Sequence, residues 1–245
     1  MVRGRTVEDW YEGDYNQDSK NKAVHIYWEK GYGMLRKFNR GREPFKLLDI
    51  GCDNGKLCSR FKLLGYDVYG VDIRKKEVAM ARKLGIKAFV ANAENRLPFS
   101  SGFFDAAFAG DIIEHIYDTD FFIGETNRVL KQGGLFVVTT PNLASLSNRL
   151  RLLMGKIPVG SEIRLGKDMA GHIRNYTFPA LEQQLKEHGF SVVEKVSSNV
   201  MFPVRYNFPL RTLAIRLGDY VSNIGSHIII AGRKVSKDGY EHSRS

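Results

Sequence analysis

The stretch LLDIGCDNG, residues 47–55, decides the fold, because it joins a short apolar strand to a helix through a glycine turn. Its first residues are apolar enough for a strand buried on both faces, whereas Leu57 and Phe61 beyond it recur at helical spacing. Gly51 and Gly55 let the backbone of such a turn approach a ligand closely. The stretch therefore predicts a strand, a turn and a helix, with a ligand at the turn.

The sequence on both sides of this stretch alternates short apolar runs with helical periods, the pattern of a parallel sheet covered on both faces. We therefore predict an α/β fold with a doubly wound, mostly parallel, seven-stranded Rossmann-like sheet. The predicted strands are residues 46–50, 67–71, 87–91, 104–109, 135–139, 190–196 and 227–235, and the glycine pair Gly133-Gly134 is predicted as the turn before the fifth of them.

Two segments lie outside this alternation. Residues 1–45 carry apolar side chains at helical spacing around Tyr27 and Leu35, which predicts an N-terminal helical segment packed across the sheet or its ligand edge, despite Gly31 and Gly33. Residues 142–176 are too long for a simple connection between a strand and a helix. They predict a lid insertion on the side of the site where a substrate would bind. The whole chain, 1–245, is expected to form a single domain.

The net charge of +10 is concentrated outside the first five strands. Residues 47–141 carry 12 lysines and arginines against 12 acidic residues, whereas residues 142–176 carry 6 against 2. Such a basic surface suits an anionic acceptor, nucleic acid or a membrane face, or it only keeps the protein in solution.

Neither end of the chain has an apolar run that could span a bilayer or serve as a signal peptide. The two cysteines, Cys52 and Cys58, have neither metal-ligand spacing nor a disulfide framework, which favours a reducing compartment. We therefore predict a cytoplasmic protein without a membrane span. The sequence says little about its oligomeric state.

Polar residues follow four of the predicted strands, where ligands bind in open α/β sheets. The blocks are DIGCDNG (49–55), GVD (70–72), ANAE (91–94) and GDIIEH (110–115). The carboxylate of Asp72 could accept both hydroxyls of a ribose, and Asn92 could contact the edge of an adenine. Together the four blocks indicate one nucleoside cofactor.

These blocks, followed by VLKQGGLFVVTTPN (129–142), HIRNYT (172–177) and LKEHGF (185–190), resemble the class I S-adenosylmethionine-dependent methyltransferases. The resemblance covers roughly residues 47–190 and is nearest to the subgroup that includes ubiquinone-biosynthesis O-methyltransferases and polysaccharide-cluster methyltransferases. It implies S-adenosylmethionine as the cofactor and, as the acceptor, a hydroxyl of a small molecule or glycan, which the basic insertion suggests could be anionic. A nucleic-acid acceptor is less favoured.

The same resemblance implies a role for each site residue. Asp49, Gly51 and Gly55 would hold the methionine end of the cofactor, Asp72 the ribose, Asn92 and Ala93 the adenine, and Asp111 would lie near the sulfonium; Cys52, Asp53 and Ile73 complete the predicted cofactor-binding set. The sequence departs from the family pattern twice. Asp53 replaces the middle glycine of the turn, and Asn92 replaces a frequent aspartate, although its carbonyl oxygen can still accept a hydrogen bond.

His115 is the candidate general base for a hydroxyl acceptor, although it could instead cap or pack the start of a helix. His172 could reach the acceptor or only stabilise the insertion. The favoured interpretation assigns no metal ligand.

Three alternatives stay open. The first is an RNA methyltransferase similar to the small-RNA terminal 2′-O-methyltransferases, with a divalent metal on Asp111, Glu114, His115 and His172. The second is a protein that binds the cofactor without catalysis. The third, an NAD-dependent dehydrogenase, shares the glycine turn and the acidic residue, but DIGCDNG does not match G-x-G-x-x-G.

Overall fold

The computed structural model describes residues 24–39, 41, 44–63, 65–161, 171–198 and 221–236. Seven strands form one sheet: β1 Lys46–Ile50, β2 Asp67–Asp72, β3 Lys87–Val90, β4 Phe104–Gly110, β5 Leu130–Pro141, β6 Phe190–Ser197 and β7 His227–Lys234. Six helices accompany them: α1 Val24–Asn39, α2 Lys56–Leu63, α3 Lys75–Lys83, α4 Thr119–Val129, α5 Leu146–Leu153 and α6 Phe178–Glu187. Single turns of 3₁₀ helix lie at Ile113–His115 and Ser222–Ile224.

The strand order is β3-β2-β1-β4-β5-β7-β6. Strands β1 to β5 pair in parallel, and β7 is antiparallel to both of its neighbours. Since β1 pairs with β2 on one side and β4 on the other, the strand order reverses between β1 and β4. The predicted doubly wound, mostly parallel sheet is confirmed, and its switch point is where a ligand is expected. Within the described ranges, no helix has the length and apolar character needed to cross a membrane.

Helix α1 packs across one face of the sheet, as predicted for the N-terminal segment, and residues 1–23 lie outside the described part of the chain. Leu35 and Tyr32 are buried in this contact. Gly31 lies within this helix. A Cβ at that position would lie only 2.9 Å from Cε2 of Phe108 on β4, so a larger residue would not fit there. The glycine that weakened the helix prediction thus allows the close approach of helix to sheet.

The predicted start of the fifth strand is wrong. Gly133 and Gly134 do not form a turn before the strand but lie within β5, which begins at Leu130. The pairing with β4 shifts between Phe104↔Leu130 and Ala106↔Leu135, so the extra residues form a bulge, in which Gly133 has φ 72°. A Cβ on Gly134 would lie 2.8 Å from the Lys131 carbonyl oxygen, so the bulge requires glycine there as well.

The insertion between β5 and α6 is described at residues 142–161 and 171–176. Its two ends lie side by side, because Asn142 and Tyr176 form an isolated parallel bridge and the Leu143 N–H donates to the Tyr176 carbonyl at 2.9 Å. The buried amide of Asn148 on α5 bonds to Asn142 O and Val159 O and accepts from Val159 N–H. These bonds hold α5 and the chain after it as one unit beside the carboxyl end of β5.

Candidate cofactor site

A cavity of about 200 Å³ opens at the carboxyl ends of β1 and β4, at the switch point of the sheet. Its lining includes Asp49, Gly51, Gly110 and Asp111, together with Trp28 from α1. Three of the ten predicted cofactor-binding residues, Asp49, Gly51 and Asp111, therefore line it along these two strands, and two more, Cys52 and Asp53, add to its wall.

Three glycines at or beside this cavity occupy positions where a side chain would not fit. Gly51 has φ 80°, and a Cβ there would lie 2.9 Å from Cδ1 of Ile112. Gly55 has φ 78°, and a Cβ there would lie 2.7 Å from Cβ of Ala81, which brings the turn against α3. A Cβ on Gly110 would meet the Phe108 ring at 2.7 Å. Such a cradle suits a ligand that the backbone itself contacts.

Asp49 is a buried carboxylate at the floor of the cavity. The Cys58 thiol donates to its Oδ2 at 2.7 Å. Burial raises the pKa of Asp49 to about 6; the thiol hydrogen bond opposes this rise, and the negative charges of Asp72 and Asp53 add to it. A buried carboxylate whose charged neighbours are also negative suits a cationic ligand group such as the ammonium of a methionine.

Asp72 ends β2 and organises the loop next to Asp49. Its Oδ2 accepts from the Asp53 N–H at 3.0 Å, and its Oδ1 accepts from the Arg74 N–H at 2.8 Å and from Arg74 Nε at 3.3 Å. The Arg74 guanidinium also reaches Oδ1 of Asp53 at 2.7 Å. Asp53 adopts φ 47°, the left-handed conformation that a glycine at this position would take freely. The turn therefore keeps its shape although aspartate replaces the glycine of the family pattern.

The predicted adenine side lies beside Asp72, because the Ala91 N–H donates to the Asp72 carbonyl at 3.1 Å. Asn92 uses its side-chain Oδ1 to accept from the Glu94 N–H at 2.9 Å, and therefore it forms a turn as well as facing this edge. Ala93 packs against the core, whereas Ile73 is 64% exposed at the end of β2. An exposed aliphatic side chain at this position offers an apolar surface to a flat ring.

Asp111 closes the other side of the cavity. It has φ 53°, and its Oδ1 accepts from Thr139 Oγ1 at 2.8 Å. Burial and the neighbouring Asp111 carboxylate raise the pKa of Tyr27 on α1. His227 stacks on the Tyr27 ring with centroids 4.1 Å apart, and burial lowers its pKa. Helix α1 thus brings aromatic rings to the side of the cavity next to Asp111.

Beyond Asp111, the 3₁₀ turn meets the end of the insertion. The Glu114 carbonyl accepts from the N–H groups of Ile173 and Arg174 at 2.9 and 3.1 Å. The Glu114 side chain is 1% exposed, and burial, followed by the charge of Asp111, raises its pKa to about 8. The His115 and His172 rings lie with centroids 5.0 Å apart. The structure therefore brings together the candidate base and the histidine of the insertion.

Residues 48–138 match the protein family described as Methyltransferase domain. These residues contain the glycine turn and Asp111, which line the cavity, and they also contain Asp72 and Asn92. The chain contains a class I methyltransferase domain. The predicted resemblance is confirmed, and with it S-adenosylmethionine as the cofactor of the domain.

Curated relatives match this domain over part of their length. The ubiquinone biosynthesis O-methyltransferase of Pelagibacter ubique is 35% identical over 44% of this chain and 47% of that protein. The chain thus spans about half the length of this relative.

Solved structures share the fold of the methyltransferase domain at low identity. A Thermotoga maritima S-adenosylmethionine-dependent methyltransferase, described as a possible histamine N-methyltransferase, superposes with a TM-score of 0.60 at 18% identity, covering 87% of this chain and 92% of its own. The cyclase SpnF superposes with a TM-score of 0.57 at 19% identity, covering 85% and 81%. The same fold thus carries proteins with different names, so the fold by itself does not identify the acceptor.

Three residues of the methyltransferase domain and its covering helix were not singled out as site residues from the sequence. Trp28 and Tyr27 appeared only as apolar positions of a helix, yet both lie at the cofactor edge. Arg74 follows Asp72 by two residues and binds it, which its position after a strand could have indicated. Arg164, one of the arginines of the insertion, lies outside the described residues.

Proposed function

We propose that the protein transfers the methyl group of S-adenosylmethionine to a hydroxyl oxygen of a small molecule. The observation that carries the proposal is the buried Asp49 carboxylate in a glycine-lined cavity, one strand away from the Asp72 carboxylate. The relatives named as ubiquinone biosynthesis O-methyltransferases support an oxygen acceptor. A glycan remains the second acceptor class for the same site.

The residues present fit this cofactor. Asp49 would accept the ammonium of its methionine, Gly51 and Gly110 would leave room for its backbone, and Asp72 would accept the ribose hydroxyls. Ile73 and Asn92 would border the adenine, at the ends of β2 and β3.

When bound, the cofactor supplies an electrophilic methyl group on a sulfonium. The chain then has to hold the acceptor oxygen in line with that group and exclude water, and orientation of this kind accounts for roughly 7 to 11 kcal/mol of a barrier. His115 Nδ1 lies 3.1 Å from the Gly171 carbonyl, so that in the neutral ring the other nitrogen carries the lone pair. His115 is therefore still the candidate for removing the hydroxyl proton.

The described part of the insertion has a character that supports a small acceptor with both apolar and anionic parts. Leu152, Leu153 and Met154 at the end of α5 are 56%, 84% and 59% exposed. Residues 142–161 carry three basic side chains, Arg149, Arg151 and Lys156, and no acidic one. A glycan would use the charge but not the apolar side chains, which favours the small-molecule acceptor.

The experiment that tests the proposal is binding followed by transfer. Calorimetry should give micromolar binding of S-adenosylmethionine or of its demethylated product and none of NAD. Labelled cofactor should then be offered to cell extract separated into RNA, lipid, glycan and small-molecule pools. Label in the lipid or small-molecule pool is expected; label in RNA would replace the proposal by the RNA alternative, and cofactor binding without any transfer would favour the non-catalytic one.

The arginines of the insertion give a prediction about the acceptor. Arg149 and Arg151 already bond to backbone carbonyls, of Ala144 at 2.7 Å and Ile157 at 2.8 Å, which holds their exposed guanidiniums in place. If they bind an anionic acceptor, the double substitution Arg149→Gln and Arg151→Gln should raise the KM for the acceptor several-fold. The effect should shrink with added salt, and cofactor affinity should stay unchanged.

A double substitution of Lys76 and Lys83 to glutamine, on the exposed face of α3, removes the same charge elsewhere and serves as the control. Equal KM values in the two variants would mean that the arginines only keep the surface hydrated.

A further inference from the structure

The buried Glu114 side chain has an oxygen that lacks a hydrogen donor. Its Oε2 accepts from Thr140 Oγ1 at 3.0 Å, whereas its Oε1, equally buried, has no hydrogen-bond partner among the described residues. Nε2 of His172 lies 3.9 Å from Oε1, beyond hydrogen-bond length. A buried acceptor without a partner is costly, so a cation or a donor is expected beside it.

The two histidines beside Glu114 are both held in the same tautomer. Nδ1 of His115 lies 3.1 Å from the Gly171 carbonyl oxygen, and Nδ1 of His172 lies 3.0 Å from the Gly160 carbonyl oxygen. A carbonyl oxygen can only accept, so each Nδ1 carries a hydrogen. In the neutral rings both Nε2 atoms then carry lone pairs. Metal-binding histidines are commonly arranged in this way, with one ring nitrogen bound to the metal and the N–H of the other donating to a carbonyl oxygen that fixes the ring.

Atoms of Glu114, His115 and His172 that could ligate a metal lie close together. One ligand atom from each residue lies within 4.8 Å of the other two. Glu114 and His115 are adjacent on the 3₁₀ turn after β4, and His172 is held beside them because the next two N–H groups of the insertion donate to the Glu114 carbonyl. The negative charge of Asp111 acts on the same cluster and adds to its attraction for a cation.

We propose that Glu114, His115 and His172 bind a divalent first-row transition metal ion such as Zn²⁺. Two imidazoles and one carboxylate form a donor set that suits zinc, manganese, iron or cobalt, whereas Mg²⁺ prefers oxygen ligands alone. A tetrahedral zinc ion spaces its ligand atoms about 3.3 Å apart, so the three side chains have to draw slightly closer on binding. Three protein ligands leave a coordination position open, as in catalytic zinc sites.

This site changes the expectation from the sequence, which favoured a domain without a metal. If the proposed methyl transfer holds, a metal at Glu114 could lower the pKa of an acceptor hydroxyl that it coordinates, and His115 would be a ligand rather than the base. That last step rests on the proposed function. The proposal that these residues bind a metal is independent of the proposed function.

The test measures metal directly. The protein should be stripped with a chelator, dialysed separately against Zn²⁺ and Mg²⁺, and its metal content and affinity measured. One zinc per chain and little magnesium are expected, and Co²⁺ should give the visible absorption of a low-symmetry site. His172→Ala and His115→Ala should each lower zinc affinity by at least tenfold.

His188→Ala is the matched control, because His188 also bonds a carbonyl through Nδ1 and lies 3.5 Å from one carboxylate, that of Asp120, outside the cluster. It should bind zinc like the unsubstituted protein. The inference is overturned if no zinc binds, or if both cluster variants bind it as tightly as the control, which would assign the zinc to another site such as the thiols. S-adenosylmethionine affinity measured on the same stripped samples separates this outcome from failure of the proposed function.

Discussion

Replacement of Asp49 by asparagine is expected to weaken S-adenosylmethionine binding by about thirtyfold or more, since removing one partner of a buried ion pair costs about 2 to 5 kcal/mol. The carboxylate lies 4% exposed at the floor of the cavity, where it would meet the ammonium of the methionine. Asparagine keeps the size of the side chain and an oxygen for the Cys58 thiol, so the loss should come from the charge. Titration calorimetry measures it.

The same substitution should stabilise the protein without cofactor. Because burial raises the pKa of Asp49 from 3.8 to about 6, the folded state holds its proton more tightly than the unfolded state does. Asp49 therefore favours folding fully only below its unfolded pKa, and that contribution is lost as the pH rises through 6. At pH 8 the substitution should add about 3 kcal/mol to the free energy of unfolding.

Asp105→Asn is the control, because Asp105 accepts from Lys46 N–H and binds Lys131 away from the cavity. It should lose stability slightly and keep its affinity for the cofactor. If Asp49→Asn instead melts at a lower temperature and still binds S-adenosylmethionine, the role given to Asp49 is wrong.

Cofactor affinity should also depend on pH. The ammonium binds only the ionised carboxylate, so affinity should be constant above the Asp49 pKa of about 6 and fall below it, by about tenfold for each further pH unit. In Asp49→Asn this dependence should disappear, which separates Asp49 from other groups that titrate.

Replacement of Asp72 by alanine is expected to weaken S-adenosylmethionine binding by about tenfold or more, because a buried acceptor of hydrogen bonds is lost. The loss has two parts. The ribose hydroxyls lose their acceptor, and the Asp53 and Arg74 N–H groups lose theirs, which loosens the turn that lines the cavity. Calorimetry with S-adenosylmethionine and with free methionine should separate the two, since methionine carries no ribose.

Arg74→Gln is the matched variant, because it removes the 58% exposed guanidinium but keeps the backbone N–H that binds Asp72. Its affinity should stay within about threefold of the unsubstituted protein, since exposed ion pairs contribute little. Equal losses in Arg74→Gln and Asp72→Ala, or binding of NAD in place of S-adenosylmethionine, would contradict the assignment of Asp72 to the ribose.

The sheet could be predicted from the sequence because its order depends on local patterns. Apolar runs of strand length mark β1, β2, β4 and β7. The bulge in β5 could not be predicted, because it arises from the pairing of Leu130 and Leu135 with β4 rather than from the residues Gly133-Gly134 alone. Any local interpretation of adjacent glycines gives a turn.

The candidate site likewise has one part that the sequence predicts and another that it does not. Asp49, Asp72, Asn92 and Asp111 each lie at or just after the carboxyl end of a strand, so the topology brings them to one edge. The tautomers of His115 and His172 depend on contacts with Gly171 and Gly160, which lie 56 and 12 residues away along the chain. Nothing in the local sequence fixes such contacts, so the sequence predicts His115 as a base, leaves a packing role open, and offers a metal ligand only with the RNA alternative.

The joined ends of the insertion have a consequence for how such proteins diversify. Asn142 and Tyr176 are bonded neighbours, so whatever lies between them begins and ends at one point on the rim of the sheet. Lengthening or exchanging that loop costs little closure entropy, about 0.6 kcal/mol for each doubling of its length. The family match ends at Val138, four residues before this point. Natural variation can thus lengthen or replace this loop while the cofactor half stays unchanged.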